Sequence, residues 1–270
     1  MKVAAIQLAS GTNVSANLIE AGKQLEAAAR EGARLLVLPE NFAFLDDGSG
    51  TRSIAETEGD GPLQDFLAKT AARLGAWIVG GTLPMAGTDP DRWRAASLVY
   101  DDEGKCVARY DKWHLFDVNV PGSDETYTES AHIEPGDRLV VVDTPAGRLG
   151  LAICYDLRFP ELFRAMLEQD VEIFALPAAF TAITGSAHWE PLVRARAIEN
   201  LAYVVAAAQG GFHVNGRETF GHSMVVDPWG RTLAMFERGN GHAVADIDRE
   251  FQQATRQNFP ALKHRRIFCN

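Results

Sequence analysis

Apolar positions in this chain fall in short, nearly unbroken runs separated by amphipathic stretches, and that alternation sets the expected elements. Residues 3–8 form one such run, of a length suited to a buried strand. Residues 13–30 then read as a helix: Leu18, Gly22, Leu25 and Ala29 recur at spacings of three or four, and Gly32 supplies a stop. RLLVL at 34–38 is the next run and leads into Pro39 and Glu40. Strand, helix, strand in this order predicts a right-handed crossover unit.

The pattern continues. A helix is expected from Pro62 to about Leu74, with Gly75 after it, followed by a strand over 77–83. Runs at 95–100 and 106–110 flank DDEGK and predict a hairpin, whose second strand exits into Tyr110-Asp111-Lys112. Residues 113–137 have no clean period and read as a long ordered loop, a feature that is often functional. A second hairpin is expected from 139–143 and 149–153, running directly into Cys154, with helix from Pro160. A strand over 171–176, a helix over 189–200 with Ser186 or His188 near its start, and a strand over 203–208 follow. A third hairpin (222–226 and 232–236, around DPWG) and a last strand over 242–247 complete the series.

Many of these strands are apolar on nearly every residue, so both faces should be covered. Helices alternate with them, which gives an α/β fold. Roughly ten or more strands would bring one open sheet near its usual limit; two packed sheets flanked by helices solve that problem. No repeat, linker or low-complexity run interrupts the 270 residues, and a single domain over 1–270 is expected.

Composition narrows the function. Apolar residues at 46% allow a large core, and a formal charge of −10 argues against a general nucleic-acid binder. The three cysteines, Cys106, Cys154 and Cys269, are odd in number and form no CxxC pair, so neither a disulfide framework nor a zinc site is expected. Reduced thiols suit the cytoplasm. No window approaches the roughly 20 apolar residues of a membrane span, and the first residues are too soon interrupted by Gly11 for a signal peptide. A soluble, cytoplasmic protein without membrane association follows. The seven histidines show no metal-ligand spacing, and GDGPL and GGTLP lack the lysine of a phosphate loop. No metal and no organic cofactor is expected.

Three reactive residues leave three apolar runs: Glu40 after LLVLP, Lys112 after CVARYD and Cys154 after LGLAI. Ligands gather at the carboxyl ends of strands in α/β sheets, so the three can form one site. An isolated cysteine is more often a core residue, and Cys106 and Cys269 are read that way. Cys154 differs because a strand-to-helix turn exposes a side chain while holding its backbone. Glu40 could act as general base and acid, and Lys112 as an oxyanion partner with the N–H of Tyr155 as second donor. At this level a cysteine–histidine dyad with His114 or His188 stays open. Arg158 could clamp a substrate carboxylate or make a structural ion pair; Phe180 and Thr181 are candidate pocket walls; Arg194, Arg196 and Glu199 are read as structural.

The segments LLVLPEN, YDKWHLFDVNVPG, GLAICYDLRFPEL, LPAAFTAITGSAHWEPLVRARAIEN and GHSMVVDPWG, in this order over nearly the whole chain, resemble the nitrilase superfamily of carbon–nitrogen hydrolases. The resemblance implies a four-layer α-β-β-α sandwich with two packed sheets, in a homodimer or higher homo-oligomer. It implies a Glu–Lys–Cys triad at Glu40, Lys112 and Cys154, with a further active-site glutamate at Glu129, and hydrolysis of a small-molecule amide by water through a thioester. Within the family, ITGSAHWEPLVRARAIE, YVVAAAQGG and GHSMVVDPWG look most like the branch acting on deaminated glutathione. The ω-amidase branch, acting on 2-oxoglutaramate, is the nearest alternative. Nitrile hydrolases, N-carbamoyl amidases and an idle scaffold with this fold complete the set.

Overall fold

The structure, a computed structural model, describes residues 1–46, 50–214 and 216–267. In chain order its elements are β1 (Lys2–Gln7), α1 (Val14–Arg30), β2 (Ala33–Val37), α2 (Pro62–Leu74), β3 (Trp77–Val79), β4 (Leu83–Ala86), β5 (Trp93–Tyr100), β6 (Cys106–Asp111), β7 (Asp117–Asn119), β8 (Thr126–Thr128), β9 (Val141–Thr144), β10 (Gly147–Leu151), α3 (Pro160–Met166), β11 (Ile173–Ala178), α4 (Ala182–Asn200), β12 (Tyr203–Ala208), β13 (Gly210–Phe212), β14 (Glu218–Phe220), β15 (Ser223–Val226), β16 (Thr232–Phe236), β17 (Gly241–Asp246) and α5 (Arg249–Asn258). One sheet has the order β17-β1-β2-β3-β5-β4, with β6 also paired to β5; the other runs β16-β15-β12-β11-β10-β9. β1, β2 and β3 are parallel, as are β10, β11 and β12.

Alternation along each strand sorts the layers. Val3, Ala5, Leu35, Val37 and Val79 share a core with Leu149, Leu151, Ile173, Ala175 and Val205, between the sheets. Their neighbours Ala4, Ile6, Leu36 and Ile78 face the other way and pack with Ala21, Leu25, Leu63 and Leu67 of α1 and α2. On the second sheet Phe174 meets Phe163 of α3 edge-on, and α4 covers β12 and β15. The result is the four-layer α-β-β-α sandwich. Strands buried on both faces explain why the sequence shows runs instead of alternation. Among the described residues no helix is long and apolar enough to cross a membrane.

Four expectations change. The strand expected over 77–83 breaks into β3 and β4 at Gly80-Gly81. Gly81 has φ +56°, and a Cβ there would lie 2.1 Å from the Pro39 carbonyl oxygen, so this glycine admits the backbone that carries Glu40. The stretch 113–137 contains a short hairpin, β7–β8, and a 3₁₀ turn at Glu129–Ala131. The helix expected over 189–200 starts seven residues earlier, because Thr181 caps it by accepting from the Thr184 N–H at 3.3 Å. Gly185 and Ser186 hid that start; a Cβ on Gly185 would sit 2.2 Å from Phe220 Cβ, so close packing of α4 on β14 demands the glycine. Finally, α5 was not expected, since REFQQATRQN lacks an apolar stripe. It docks through polar groups instead: Gln252 Nε2 donates to the Glu172 and Leu201 carbonyls at 2.8 and 3.0 Å.

Glu134 ties the end of the 113–137 segment to β4–β5. Its carboxylate accepts from the Thr88 hydroxyl and N–H, both at 2.7 Å, and pairs with Arg94. Bonds from Thr88 above all, with Arg94 and Asp89, hold its pKa at about 2 against an ordinary 4.5. A depressed folded pKa adds stability that is present above the unfolded value and is lost as pH falls through the folded one. Glu134→Gln is therefore expected to cost roughly 1–2 kcal/mol near neutral pH after allowance for solvent screening. The gap from wild type should narrow between about pH 4.5 and pH 2. Thermal melts at neutral pH and near the acid end of that window check this; an equal gap at both would count against it.

Candidate active site

Pairing directions bring the three reactive residues to one end of the sandwich. β2 is parallel to β3, β3 antiparallel to β5 and β5 antiparallel to β6, so β2 and β6 point the same way. Glu40 and Lys112 thus leave the same edge of the first sheet. In the second sheet β10, β11 and β12 deliver Cys154, then Ala179 to Thr181, then Gln209.

The Cys154 turn is strained and held on both sides. Cys154 has φ +47°, a left-handed conformation that costs energy for a residue with a Cβ. It opens a single 3₁₀ turn, Cys154–Arg158. Asp156, fully buried, accepts from the Ile153 N–H at 2.8 Å, the Tyr110 hydroxyl at 2.7 Å and the His114 N–H at 3.1 Å; its other bond, at 2.7 Å, is to His114 Nδ1. From α4, Arg196 Nε and Nη2 donate to the Leu157 carbonyl at 3.0 and 2.8 Å, while Nη1 donates to Glu199 at 2.8 Å. Arg194 Nε donates to the Gly230 carbonyl at 2.8 Å. Both arginines serve the framework.

Glu40 is fixed through its peptide. Gln209 Nε2 donates to the Glu40 carbonyl at 3.0 Å and to Ser10 Oγ at 2.9 Å. The Asn41 N–H donates to Thr82 Oγ1 at 2.8 Å. Gln209 leaves β12 and Glu40 leaves β2, so this bond fastens one sheet to the other at the site.

Lys112 has a fully buried side chain. Its Nζ donates to Glu40 Oε1 at 2.8 Å and to both oxygens of Glu129 at 2.9 and 2.7 Å. Glu129 also accepts from the Phe116 N–H at 2.8 Å. Burial opposes the charge on Lys112, but Glu129 and Glu40 outweigh it and hold the ammonium pKa well above its usual value. Beside it Cys154 is 8% exposed. Burial, then the Glu40 carboxylate, push the thiol pKa well up; Lys112 and a bond with the Ala179 backbone offset only part of this.

Two openings reach these groups. A cleft of about 610 Å³ lies beside Glu40 and Glu129 and is walled by Phe44, Trp93, Tyr127 and His132. A recess of about 20 Å³ holds Cys154 with Phe116, Tyr155, Arg158, Phe180 and Thr181. Glu40, Asn41, Glu129 and Arg217 line both. Arg158 makes no ion pair with a carboxylate among the described residues; its Nη1 is 3.2 Å from His188 Nδ1 and its guanidinium lies over the Phe180 ring at 5.1 Å. Thr181 lines the recess, but its hydroxyl is engaged in capping α4.

Seven of the eight site residues anticipated from the sequence therefore line one recess, and the eighth, Lys112, is bonded to Glu40 and Glu129 of its wall. His114 is turned to Asp156 and His188 to Arg158, while the thiol interacts with Glu40, Lys112 and Ala179, which leaves the cysteine–histidine alternative without geometry. Asp156, Tyr110, Gln209 and Arg217 were not anticipated. Asp156 and Tyr110 stand inside CYD and YDK, next to the more reactive Cys154 and Lys112; Gln209 and Arg217 carry no motif signal. Cys106 begins β6, and Cys269 lies outside the described residues. Among the described residues no group of three His, Cys, Asp or Glu could hold a metal ion.

Residues 2–257 match the family described as carbon-nitrogen hydrolase. The deaminated glutathione amidase of Yersinia enterocolitica is 43% identical over 266 residues, covering 98% of this chain and 93% of that protein. The Homo sapiens deaminated glutathione amidase is 42% identical over 272 residues, covering 98% and 82%. Saccharomyces cerevisiae Nit3, a member of branch 10 of the nitrilase superfamily, superposes with a TM-score of 0.89 at 32% identity over 99% of this chain and 97% of its own. The C. elegans NitFhit protein gives 0.87 at 36% identity, with 98% of this chain spanning 65% of that one.

Proposed function

This chain belongs to the carbon–nitrogen hydrolase family and is a hydrolase of C–N bonds other than peptide bonds; from that premise we propose that it is an amidase of deaminated glutathione, with Cys154 as nucleophile. The observation that supports the mechanism is the single network joining Cys154, Glu40, Lys112 and Glu129 across two sheets. Glu40 takes the thiol proton as the sulfur attacks the amide carbonyl. Lys112, kept charged by its carboxylate neighbours, and the N–H of Tyr155 stabilise the oxyanion. The C–N bond breaks, the nitrogen leaves with the proton from Glu40, and the thioester remains on Cys154. Water, deprotonated by Glu40, then hydrolyses the thioester. Glu129 orients Lys112 and the substrate. The cycle uses no metal or organic cofactor.

Deaminated glutathione carries an oxo-dicarboxylic acyl group joined through an amide to a dipeptide. Arg158, with Phe180 and Thr181, is the proposed seat of the acyl carboxylate: it lies at the Cys154 recess and is not committed to a carboxylate. The related proteins named for this substrate in bacteria and animals support the choice. The reading places the protein in the cytoplasm, where the free thiols of Cys106 and Cys154 persist, as a homodimer or larger assembly. Amine release from deaminated glutathione, measured against 2-oxoglutaramate, a nitrile and a ureido acid, is the test. The expected order puts deaminated glutathione first by kcat/KM. Preference for 2-oxoglutaramate would make this an ω-amidase, and turnover of neither would remove the substrate assignment.

A further inference from the structure

We infer that Asp156 is a positioning residue: one buried carboxylate bonds the chain on both sides of Lys112 to the turn that opens with Cys154, and so sets the oxyanion partner against the nucleophile. The inference rests on the roles given above to Cys154 and Lys112, not on the choice of substrate.

Lys112 and Cys154 arrive from different sheets, just beyond β6 and β10. Their relative placement must be held closely, because an error of ~1 Å costs about 10²-fold in rate. The Lys112 N–H donates to the Ala95 carbonyl of β5 at 2.9 Å, which fixes it to the first sheet. Asp156 ties it to the second. Its Oδ2 accepts from the Ile153 N–H, one residue before Cys154, and from the Tyr110 hydroxyl, two before Lys112. Its Oδ1 meets the N–H and Nδ1 of His114, two residues after Lys112. Four donors match the lone-pair sites of an ionised carboxylate, and such a group only accepts, so His114 Nδ1 carries the hydrogen. Asp156 is fully buried, and hydrogen bonds to a charged group inside a protein are the strong and directional ones. A carboxylate that served the turn alone would need only the Ile153 bond; the other three go to residues flanking Lys112. The His114 ring also lies on Phe159 at 3.7 Å, 7° from parallel, just past the far end of the same turn. The histidine that the sequence offered as a base thus grips the Cys154 turn from the Lys112 side.

The test separates the two ends of this clamp. His114→Phe keeps a ring for Phe159 and removes the Nδ1 donor; His114→Asn loses the ring and keeps an N–H donor near that position. In His114→Phe, kcat for amide hydrolysis should fall ~30-fold or more with KM within ~3-fold, the pattern of an interaction lost only in the transition state. Alkylation of Cys154 by iodoacetamide should stay within ~3-fold of wild type, because that displacement develops no oxyanion and the Ile153 bond persists. His114→Asn should recover at least ~10-fold of the lost kcat, since a hydrogen bond to a charged group is restored. Tyr110→Phe, which releases the other side of Lys112, should show the same split between turnover and alkylation and serves if a melting curve shows that His114→Phe fails to fold. An unchanged kcat, equal losses in the two His114 variants, or a parallel fall of turnover and alkylation overturns the inference; the last result would make Asp156 a support of the turn alone. A wild type that hydrolyses no amide removes this inference together with the reading beneath it, whereas an active wild type without the split removes this inference only.

Discussion

Cys154→Ala is expected to lower kcat/KM for amide hydrolysis by on the order of 10⁴-fold or more while leaving the fold in place. The magnitude follows from covalent chemistry: without the sulfur there is no thioester, and only the oxyanion donors and binding remain. The fold should survive because the strained turn is held by Asp156 and Arg196, not by the thiol. Circular dichroism and a melting curve check that half, and mass spectrometry of wild type should place any trapped acyl group on the Cys154 peptide. The raised thiol pKa adds a sharper readout. The Glu40 carboxylate is itself one cause of that rise, so Glu40→Gln should lower the thiol pKa and speed alkylation of Cys154 by iodoacetamide near neutral pH while amide turnover is lost. Full activity in Cys154→Ala would end the nucleophile assignment. Slower alkylation in Glu40→Gln would show that the carboxylate does not raise the thiol pKa, and retained amide turnover in that variant would move the base elsewhere.

The second large effect belongs to Lys112, which is expected to matter for folding as well as for rate. Lys112→Met removes the only cation bonded to both Glu40 and Glu129 among the described residues and leaves those carboxylates facing each other at the end of the core. Breaking one side of a buried ionic cluster costs about 3–5 kcal/mol, because the remaining charges are neither solvated nor paired. Loss of the oxyanion partner should lower kcat by a further 10²- to 10³-fold, roughly. Adding Glu129→Gln to Lys112→Met tests the cause. Removing one stranded carboxylate should recover part of the lost stability and none of the activity. A double variant no more stable than the single one would assign the loss to packing instead.

The sequence exposed those parts of the fold where local chemistry and tertiary context agree. Two-sided burial made β1, β2, β10, β11 and β12 legible as apolar runs; the exits of β2 and β10 marked Glu40 and Cys154, and the exit of the β5–β6 hairpin marked Lys112. Family resemblance was needed for Glu129, because it sits on a 3₁₀ turn in a stretch without periodicity. The start of α4 was hidden because Gly185, a poor helix former, is fixed by its approach to Phe220 over thirty residues away. The same holds for α5, which docks by hydrogen bonds from Gln252 and so has no apolar stripe to read. Asp156 and Gln209 act on backbone groups of residues that only the folded chain brings near. Pairwise placement of that kind leaves no trace in spacing or composition.

The pairing of β1 with β17 bears on the chain while it is being made. Lys2 lies opposite Asp246 and Gln7 opposite Gly241, so one edge of β1 stays open until residues 241–246 have left the ribosome. β1 and β2 can pair early, because α1 alone separates them. Until β17 arrives, the nascent sheet presents an apolar strand with unsatisfied backbone groups, the kind of edge that recruits other chains. Stalled or truncated synthesis products should therefore be sticky, and efficient production should depend on a holdase or on slow, dilute expression.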